Sequence, residues 1–472
     1  MAVCAGAGEL WTRAYGGAGD EKGYEVVQTA DGGYAVVGET NSFGAGLFDI
    51  YLVRTDSNGD SLWTRTYGGG QYEFGYSLVA TPDSGFLIAG VTTSFGAGGR
   101  DVYLVRTDAQ GETLWTKTYG GTNHDAAGSV ITTADGGCLI VGTTYSYGAG
   151  GADLYILKTD ADGESLWAVT HGGTQSETGW SVKETGDGGY VIGGQTLSYG
   201  AGDQDVYIVR TDSAGGLVWM KTYGGSGDDR GFSVEATLDG GYLTAGRTYS
   251  FGVGGADIYV VKTDSAGDSI WTKTYGSLIN DEANAVLEEP SGVLVIAGYA
   301  YSFISGSNEA YLLALDVNGD SLWAEMYGGS GEDVASSALS TGMGGYVIAG
   351  LTSSLGAGGL DLYIAQVEPP TGAVLREAPE VLKPSLNVEP NPFRGGTLVN
   401  YSLQAECRVD ITIHNLLGQR VKTLSCGTND AGTHSMLWDA RDDGGRSLPS
   451  GVYWARLTTD TDEILLKMIF LE

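Results

Sequence analysis

The sequence predicts an all-β chain in which a ring of seven four-stranded blades is followed by a small β-sandwich. A tryptophan preceded by Leu, Val or Ile recurs seven times at a constant interval of 52 residues, which indicates one repeated structural unit. Each interval holds four short runs of alternating apolar and polar residues, and the repeat stops near residue 368, where prolines begin. The seven tryptophans are Trp11, Trp63, Trp115, Trp167, Trp219, Trp271 and Trp323.

The first repeat shows why each unit is predicted to be a blade of four antiparallel strands. The predicted strands span residues 24–29, 34–39, 49–55 and 61–67. Asp31-Gly32 joins the first two, and an Asp-Gly pair favours a tight hairpin with positive φ at both turn positions. Asp56, Gly59 and Trp63 of the last hairpin resemble the quinoprotein-type propeller repeat, a resemblance that supports a seven-bladed β-propeller and implies no particular activity.

The two ends of the repeat region predict how the ring closes. A fourth strand, Leu10-Trp11-Thr12-Arg13, comes before any first strand, and the seventh copy has Leu375 in the tryptophan position. We therefore expect the N-terminal strand to complete blade 7 from outside, which leaves no open ring edge. A solenoid is the alternative, but it would need atypical capping repeats, and the first and last copies keep the common pattern.

The composition is that of an acidic folded chain. The formal net charge is −33, and nearly all of the excess negative charge lies before residue 376. Such a surface repels phosphate groups, so we expect no nucleic acid and no anionic membrane as partners. No apolar run is long enough to cross a membrane. Residues 1–8 are small and apolar without basic residues, and we expect a remnant of a signal peptide or a disordered segment.

The seven copies can be compared with one another, and one column is always acidic. It follows the glycine-rich loop that crosses from one blade to the next. The functional interpretation is a ring of carboxylates that binds a cation at one mouth of the channel, and the structural one is that each acid accepts N–H groups of its own loop. We assign no metal site, and these weak candidates are Glu21, Glu73, Asp125, Glu177, Asp229, Asp281 and Asp333.

Two other columns vary freely and are therefore the first place to expect a ligand site. One is the residue before each acid, and the other follows a glycine that is constant in the second strand and includes Arg247. The alternative is that these are solvated positions without function. The candidates of the first column are Asp20, Tyr72, His124, Ser176, Asp228, Asn280 and Glu332.

Patterns for metal binding and catalysis are weak. Asp56, Asn58 and Asp60 have the 1, 3, 5 spacing of a calcium loop, but the glycine and the later ligand of that loop are misplaced, and a hairpin turn explains the spacing equally well. No sequence motif of a nucleophile, zinc hydrolase or nucleotide loop is found, so we predict no catalytic residue and no cofactor. His171 replaces a tyrosine of the repeat, and we expect a packed ring there.

The C-terminal segment resembles the immunoglobulin-like domain of type IX secretion cargo and of flagellar hook-capping proteins. The segments that match are residues 390–393, 416–421, 431–434, 438–439, 443–444, 450–453 and 467–468. The resemblance implies an Ig-like β-sandwich that directs bacterial export and surface attachment, with the export machinery as its partner. We therefore predict a propeller over residues 9–376, a linker over 377–384 and this domain over 385–472.

These observations favour a secreted or surface-attached propeller that acts as a binding or structural module, with an unidentified protein or glycan as ligand. The alternative is a secreted enzyme that acts on polysaccharide, and the near identity of the blades argues against it. Four cysteines are too few for a disulfide framework. Cys407 and Cys426 lie on consecutive predicted strands and could cross-link after export, although the register of these two strands is open. The sequence also leaves the oligomeric state open.

Overall fold

The structure is a computed structural model that describes residues 9–342, 344–370, 385–403, 407–416, 418–429, 432–459 and 463–471. All regular secondary structure in these ranges is β-strand, which confirms the predicted all-β class. The chain divides into two compact units, Met1–Ala378 and Pro379–Glu472. Within the described ranges there is no helical segment with the length and hydrophobicity needed to span a bilayer.

The first unit consists of seven sheets of four antiparallel strands, as predicted. An N-terminal strand, β1 (Glu9–Tyr15), precedes blade 1, which comprises β2 (Glu21–Gln28), β3 (Tyr34–Thr40), β4 (Asp49–Thr55) and β5 (Ser61–Tyr67). Blade 2 comprises β6 (Glu73–Ala80), β7 (Phe86–Thr92), β8 (Asp101–Thr107) and β9 (Thr113–Tyr119), and blade 3 comprises β10 (Asp125–Thr132), β11 (Cys138–Thr144), β12 (Asp153–Thr159) and β13 (Ser165–His171). Blade 4 comprises β14 (Glu177–Glu184), β15 (Tyr190–Thr196), β16 (Asp205–Thr211) and β17 (Leu217–Tyr223), and blade 5 comprises β18 (Asp229–Ala236), β19 (Tyr242–Thr248), β20 (Asp257–Thr263) and β21 (Ser269–Tyr275). Blade 6 comprises β22 (Glu282–Glu288), β23 (Leu294–Ser302), β24 (Ser307–Leu315) and β25 (Ser321–Tyr327), and blade 7 comprises β26 (Asp333–Ser340), β27 (Tyr346–Thr352), β28 (Asp361–Val367) and β1.

The N-terminal strand is the fourth strand of blade 7, as the sequence predicted. β1 pairs antiparallel with β28, and the Trp11 indole N–H donates to the Gln366 side-chain oxygen at 2.8 Å. Trp11 is half-buried because β1 is the outermost strand of its sheet and keeps one edge in solvent.

Seven hydrophobic clusters hold the ring together, one at each joint between neighbouring blades. The joint between blades 7 and 1, for example, packs Val26, Val36 and Val53 against Leu362 and Ile364. The first strand of each blade contacts the first strand of the next, and that of blade 7 contacts that of blade 1. The first strands therefore form the inner wall of the ring, around a central channel.

The repeated tryptophans act between blades. The Trp11 ring lies under Gly59, in the hairpin of the next blade, and a Cβ on that glycine would come within 2.4 Å of the ring. Gly59 also has φ +74°, a conformation that strongly favours glycine. The same tryptophan-to-glycine contact recurs in Trp63–Gly111, Trp115–Gly163, Trp167–Gly215, Trp219–Gly267 and Trp271–Gly319. The tryptophan and the turn glycine are therefore constant because they pack against each other across a joint between blades.

The two hairpins of a blade differ in detail from the prediction. Gly32 has φ +85°, but Asp31 does not have positive φ, so the Asp-Gly pair forms a longer turn with the glycine alone in the left-handed region. In the second hairpin the Asp56 carboxylate accepts the backbone N–H groups of Asn58 and Asp60 at 2.8 and 2.9 Å. These two bonds account for the calcium-like spacing without a metal ion.

The second unit is a sandwich of two antiparallel sheets. Its strands are β29 (Ser385–Glu389), β30 (Thr397–Leu403), β31 (Cys407–Asn415), β32 (Arg420–Asn429), β33 (Gly432–Trp438), β34 (Gly451–Thr458) and β35 (Glu463–Phe470). The sheets have the orders β29-β30-β33 and β32-β31-β34-β35, and they enclose a core around Trp438, Phe393 and Tyr453. The backbone register places Cys426 opposite Asp410 and Cys407 opposite Asn429, so the proposed cysteine pair is three positions out of register.

Candidate functional site

The acidic column of the first strands is fully buried and engaged by its own blade. Glu21 is 0% exposed, and its Oε1 accepts the Thr40 hydroxyl at 2.6 Å while its Oε2 accepts the Gly17 N–H at 2.7 Å. The same bonds to a strand-two threonine recur at Glu73, Asp125, Glu177 and Asp229. These carboxylates lie beneath the crossing loops and do not open onto the channel mouth, which is where the cation interpretation required them.

A second acid approaches the first at six of the seven joints, an arrangement that the sequence did not predict. A Cβ on Gly16 would come within 2.1 Å of Asp361 Oδ1, in blade 7, and within 2.3 Å of Glu21 Oε2, in blade 1. Both carboxylates are buried, and Asp361 Oδ1 has no hydrogen-bond partner among the described residues. We call each such couple a joint carboxylate pair. The others are Asp49–Glu73, Asp101–Asp125, Asp153–Glu177, Asp205–Asp229 and Asp257–Asp281.

Burial dominates the electrostatics of these pairs. Desolvation raises the pKa of Asp361, and the negative charge of Glu21 raises it further, against the Ala357 N–H, which lowers it. The pKa of Asp49 is raised in the same way, with Glu73 as the neighbouring charge. Among the described residues, no three His, Cys, Asp or Glu side chains are grouped so that they could hold a metal ion.

Several residues of the variable first column bind the backbone of the preceding blade. His124 Nδ1 accepts the Arg100 N–H at 3.1 Å, and Asp20 Oδ1 accepts the Leu360 N–H at 3.0 Å. The Ser176 hydroxyl and the Asn280 side-chain oxygen accept equivalent N–H groups at 3.3 and 2.9 Å. Different side chains perform the same joining function here, which explains why the column tolerates variation.

Tyr72 and Glu332 hold their loops through their backbones instead. The Tyr72 N–H donates to the Thr93 hydroxyl at 2.9 Å, and the Glu332 N–H donates to the Ser353 hydroxyl at 2.7 Å. The Tyr72 ring is exposed and stacks on Phe48, with 6.1 Å between ring centroids. The contacts at these two positions therefore give no indication of a bound ligand.

The remaining candidates, Asp228 and Arg247, belong to a cluster of two arginines and two carboxylates. Blade 1 has a smaller cluster at the same positions, in which Glu39 accepts the Tyr24 hydroxyl and pairs with Lys22. Arg247 Nη1 donates to Glu282 of blade 6 at 2.6 Å, and its Nη2 lies 3.9 Å from Asp228. Asp228 also accepts two bonds from Arg230, both at 2.7 Å. Partial burial acts to lower the pKa of Arg247, but the neighbouring carboxylates outweigh it and raise the pKa, so this guanidinium stays charged.

Aromatic rings surround these charges. The Arg247 guanidinium lies 5.8 Å from the centre of the Phe232 ring and 5.7 Å from that of Tyr249. Phe232 meets Trp180 of blade 4 edge to face at 6.4 Å, and the Trp180 indole N–H donates to Gln195 at 3.3 Å. We call this set the blade 4–6 cluster. Its members are Trp180, Gln195, Asp228, Arg230, Phe232, Arg247, Tyr249 and Glu282.

The blade 4–6 cluster faces the channel because its side chains occupy the half-exposed positions of the first strands and the second-strand ends beside them. In β18 the residues at positions 1, 3 and 6 are buried against neighbouring blades, while Arg230 and Phe232 are partly exposed. Sequence reasoning found Asp228 and Arg247 but missed Trp180 and Phe232. The sequence signal for these two residues was the fourth position of the first strand in each blade, which is aromatic in only some of the seven copies.

A groove lies between blades 2 and 3 of the described surface. It has a volume of about 900 Å³ and is lined in part by Asp101, Tyr119, Tyr147 and Tyr155. Each of these residues belongs to a column that recurs around the ring, so the groove is a product of the repeat. The blade 4–6 cluster is not, and it is therefore the better candidate for a ligand site.

Comparisons with known proteins support the two-part organisation. Residues 393–463 match the model of the FlgD Ig-like domain, in agreement with the resemblance seen in the sequence. The regulatory protein FlaEY of Caulobacter vibrioides is 26% identical to this chain over 322 residues, which are 61% of the chain and 30% of that relative. The chain thus spans about a third of the length of the curated relative that it matches.

Solved structures resemble the chain in fold at low sequence identity. PorZ, a surface component of the type IX secretion system of Porphyromonas gingivalis, aligns with 95% of this chain and 51% of its own, at 13% identity and a TM-score of 0.33. The extracellular domain of BT4673 from B. thetaiotaomicron aligns with 96% of this chain and 57% of its own, at 10% identity and a TM-score of 0.41. At these scores neither likeness bears on the function of this protein.

Proposed function

We propose that this protein is an extracellular, cell-surface propeller that binds a ligand, and that its C-terminal Ig-like unit serves for export and attachment. The observation that carries the proposal is the match of residues 393–463 to the FlgD Ig-like model within a compact unit that has its own core. A domain with a separate core can act as a module independent of the rest of the chain.

The propeller is the part that we assign to binding. Its constant columns are used by the fold itself, in tryptophan-to-glycine contacts and buried carboxylates, which leaves the variable channel positions free for recognition. The large negative charge, −33, favours a soluble exterior and disfavours nucleic acid and anionic membranes as partners.

At the blade 4–6 cluster, the state of the two carboxylates favours binding over polysaccharide cleavage. Glycoside hydrolysis requires two carboxyl groups free to act as acid and as nucleophile or base. Asp228 and Glu282 are instead both held by arginine side chains, Arg230 and Arg247. Carboxylates committed to arginine in this way position the guanidinium groups and are poorly suited to proton transfer.

Truncation in the native bacterium tests the proposal. A chain that ends at Ala378 should fold, because the propeller clusters lie entirely before that residue, but should remain inside the outer membrane. Surface delivery is measured by protease accessibility on intact cells, and the full-length chain is the control. A truncated propeller that reaches the surface as efficiently as the full chain would refute the role of the C-terminal unit.

A further inference from the structure

We propose that the blade 4–6 cluster binds a neutral saccharide, which it holds at the mouth of the central channel. This inference rests on the proposed binding function of the propeller and adds the class of ligand and the residues that recognise it. It is independent of how the protein reaches the cell surface.

The first argument is that the cluster is not needed to close the ring. The position of Arg247 is filled by Val91, Thr143 and Leu351 in three other blades, and these blades close through the same apolar clusters and tryptophan-to-glycine contacts. Guanidinium groups at a half-buried site must be compensated by partners, which Asp228 and Glu282 provide. A costly arrangement in one sector of a repetitive ring indicates a function beyond stability.

The second argument is the shape of the exposed groups. Trp180 is 37% exposed although it lies on an inner strand, and Tyr249 is 47% exposed at the end of β19. The Trp180 ring offers a surface for the C–H groups of a pyranose, whereas one face of Tyr249 is covered by the Arg247 guanidinium. The Gln195 amide and the two guanidinium groups beside them are planar, fixed hydrogen-bonding groups suited to pairs of sugar hydroxyls.

The third argument comes from charge. Arg230 and Arg247 balance Asp228 and Glu282, so the cluster is formally neutral. An anionic ligand would be repelled by the field of the whole chain, with its net charge of −33, and would have to displace a carboxylate from its arginine. A cationic ligand would meet the Arg247 guanidinium, which already lies against both the Phe232 and the Tyr249 rings. A neutral polyhydroxyl ligand avoids both penalties.

Calorimetric titration of the full chain tests the proposal. The probes are neutral oligosaccharides of glucose, mannose, xylose and galactose, with oligogalacturonate as an anionic probe and oligolysine as a cationic one. We expect binding of at least one neutral oligosaccharide, weakened about tenfold or more by Trp180→Ala, because one stacking contact is removed. Gln195→Leu, which removes only polar atoms, should weaken binding as well, and Phe303→Ala should not, since Phe303 is an exposed ring on a loop of blade 6.

Three results would overturn the inference. These are binding of none of the neutral oligosaccharides, binding of only the charged probes, and neutral binding that Trp180→Ala and Gln195→Leu leave unchanged while both variants keep the melting temperature of the parent. Surface delivery is measured separately, so correct delivery combined with any of these results would overturn the ligand class and leave the proposed export role standing.

Discussion

Single residues in this ring act mainly on the neighbouring blade. The last residue of each outer strand is usually a tyrosine whose hydroxyl donates to the carbonyl of the turn glycine in the next blade, as Tyr67 does to Gly111 at 2.7 Å. His171 takes this position in blade 3, and its Nε2 lies 2.9 Å from the Gly215 carbonyl oxygen. A carbonyl can only accept, so Nε2 must carry the proton. The expected packed ring is therefore also a hydrogen-bond donor.

Substitution of His171 tests this assignment. His171→Phe keeps a ring but removes the donor, and we expect it to lower the free energy of unfolding by about 1 kcal/mol, the usual net contribution of one hydrogen bond. His171→Tyr restores the donor found in the other blades and should leave stability within about 0.5 kcal/mol of the parent. Chemical denaturation followed by tryptophan fluorescence measures both, and equal stability of the two variants would contradict the assigned bond.

At the scale of elements, six of the seven joints combine an apolar cluster with two carboxylates, and these acids respond to pH differently from the acids of the hairpins. Burial raises the pKa of Asp361 and of Asp49 in their joint carboxylate pairs. Asp31, in the hairpin between β2 and β3, instead has a pKa lowered to about 2 by the Thr29 hydroxyl and the Arg54 guanidinium, among other groups. A raised pKa contributes stability that is complete below the unfolded value of about 3.9 and is lost as pH rises through the folded value. A lowered pKa contributes stability that is lost only as pH falls toward 2.

The propeller should therefore lose stability as pH rises above about 4 through the folded pKa values of its joint acids. In Asp361→Asn the amide cannot ionise and can donate to Glu21, so we expect a smaller fall in melting temperature than in the parent as pH rises from about 4 to about 8. Calorimetric melting curves at several pH values provide the measurement. Asp162→Asn, in an exposed hairpin turn, is the matched control, and a parent-like pH dependence in Asp361→Asn would refute the effect.

Local sequence patterns predicted strands well and the surroundings of side chains less well. The tryptophan interval and the alternating runs predicted all four strands of each blade, because strand period and turn residues are local properties. The column of Glu21 and the column of Asp361 were each visible in the sequence, but their meeting across a joint depends on the packing of neighbouring sheets. Trp180 was missed for a related reason, since only the closed ring shows that the fourth residue of a first strand faces the channel.

For the whole molecule, closure depends on one strand. β1 contributes its pairing with β28 and the contact of Trp11 with Gly59, and both are lost when it is removed. Without β1, blade 7 has three strands and the joint with blade 1 loses a partly buried ring. The apolar cluster of that joint still contains Val36 and Leu362, so a weakened ring is expected in place of complete unfolding.

Deletion of residues 1–17 measures the contribution of closure. We expect the propeller to lose at least about 3 kcal/mol of stability, comparable to removal of one large buried side chain. Deletion of residues 1–8 alone, which leaves β1 intact, is the control and should melt like the parent. If the longer deletion also melts like the parent, the pairing of β1 with β28 contributes nothing to stability.

The pairing of β1 with β28 has a consequence for the order in which the chain is synthesised. Trp11 meets Gln366 across a separation of 355 residues, so β1 is synthesised before every other strand of the ring but cannot pair until the last of them, β28, has been made. At translation rates of roughly 5–20 residues per second, that interval lasts roughly 20–70 seconds. Throughout it, the nascent chain presents an unpaired strand edge with an exposed indole, while blades 1 to 6 can already form. During synthesis, the segment of this fold that most needs protection from wrong pairing is therefore β1.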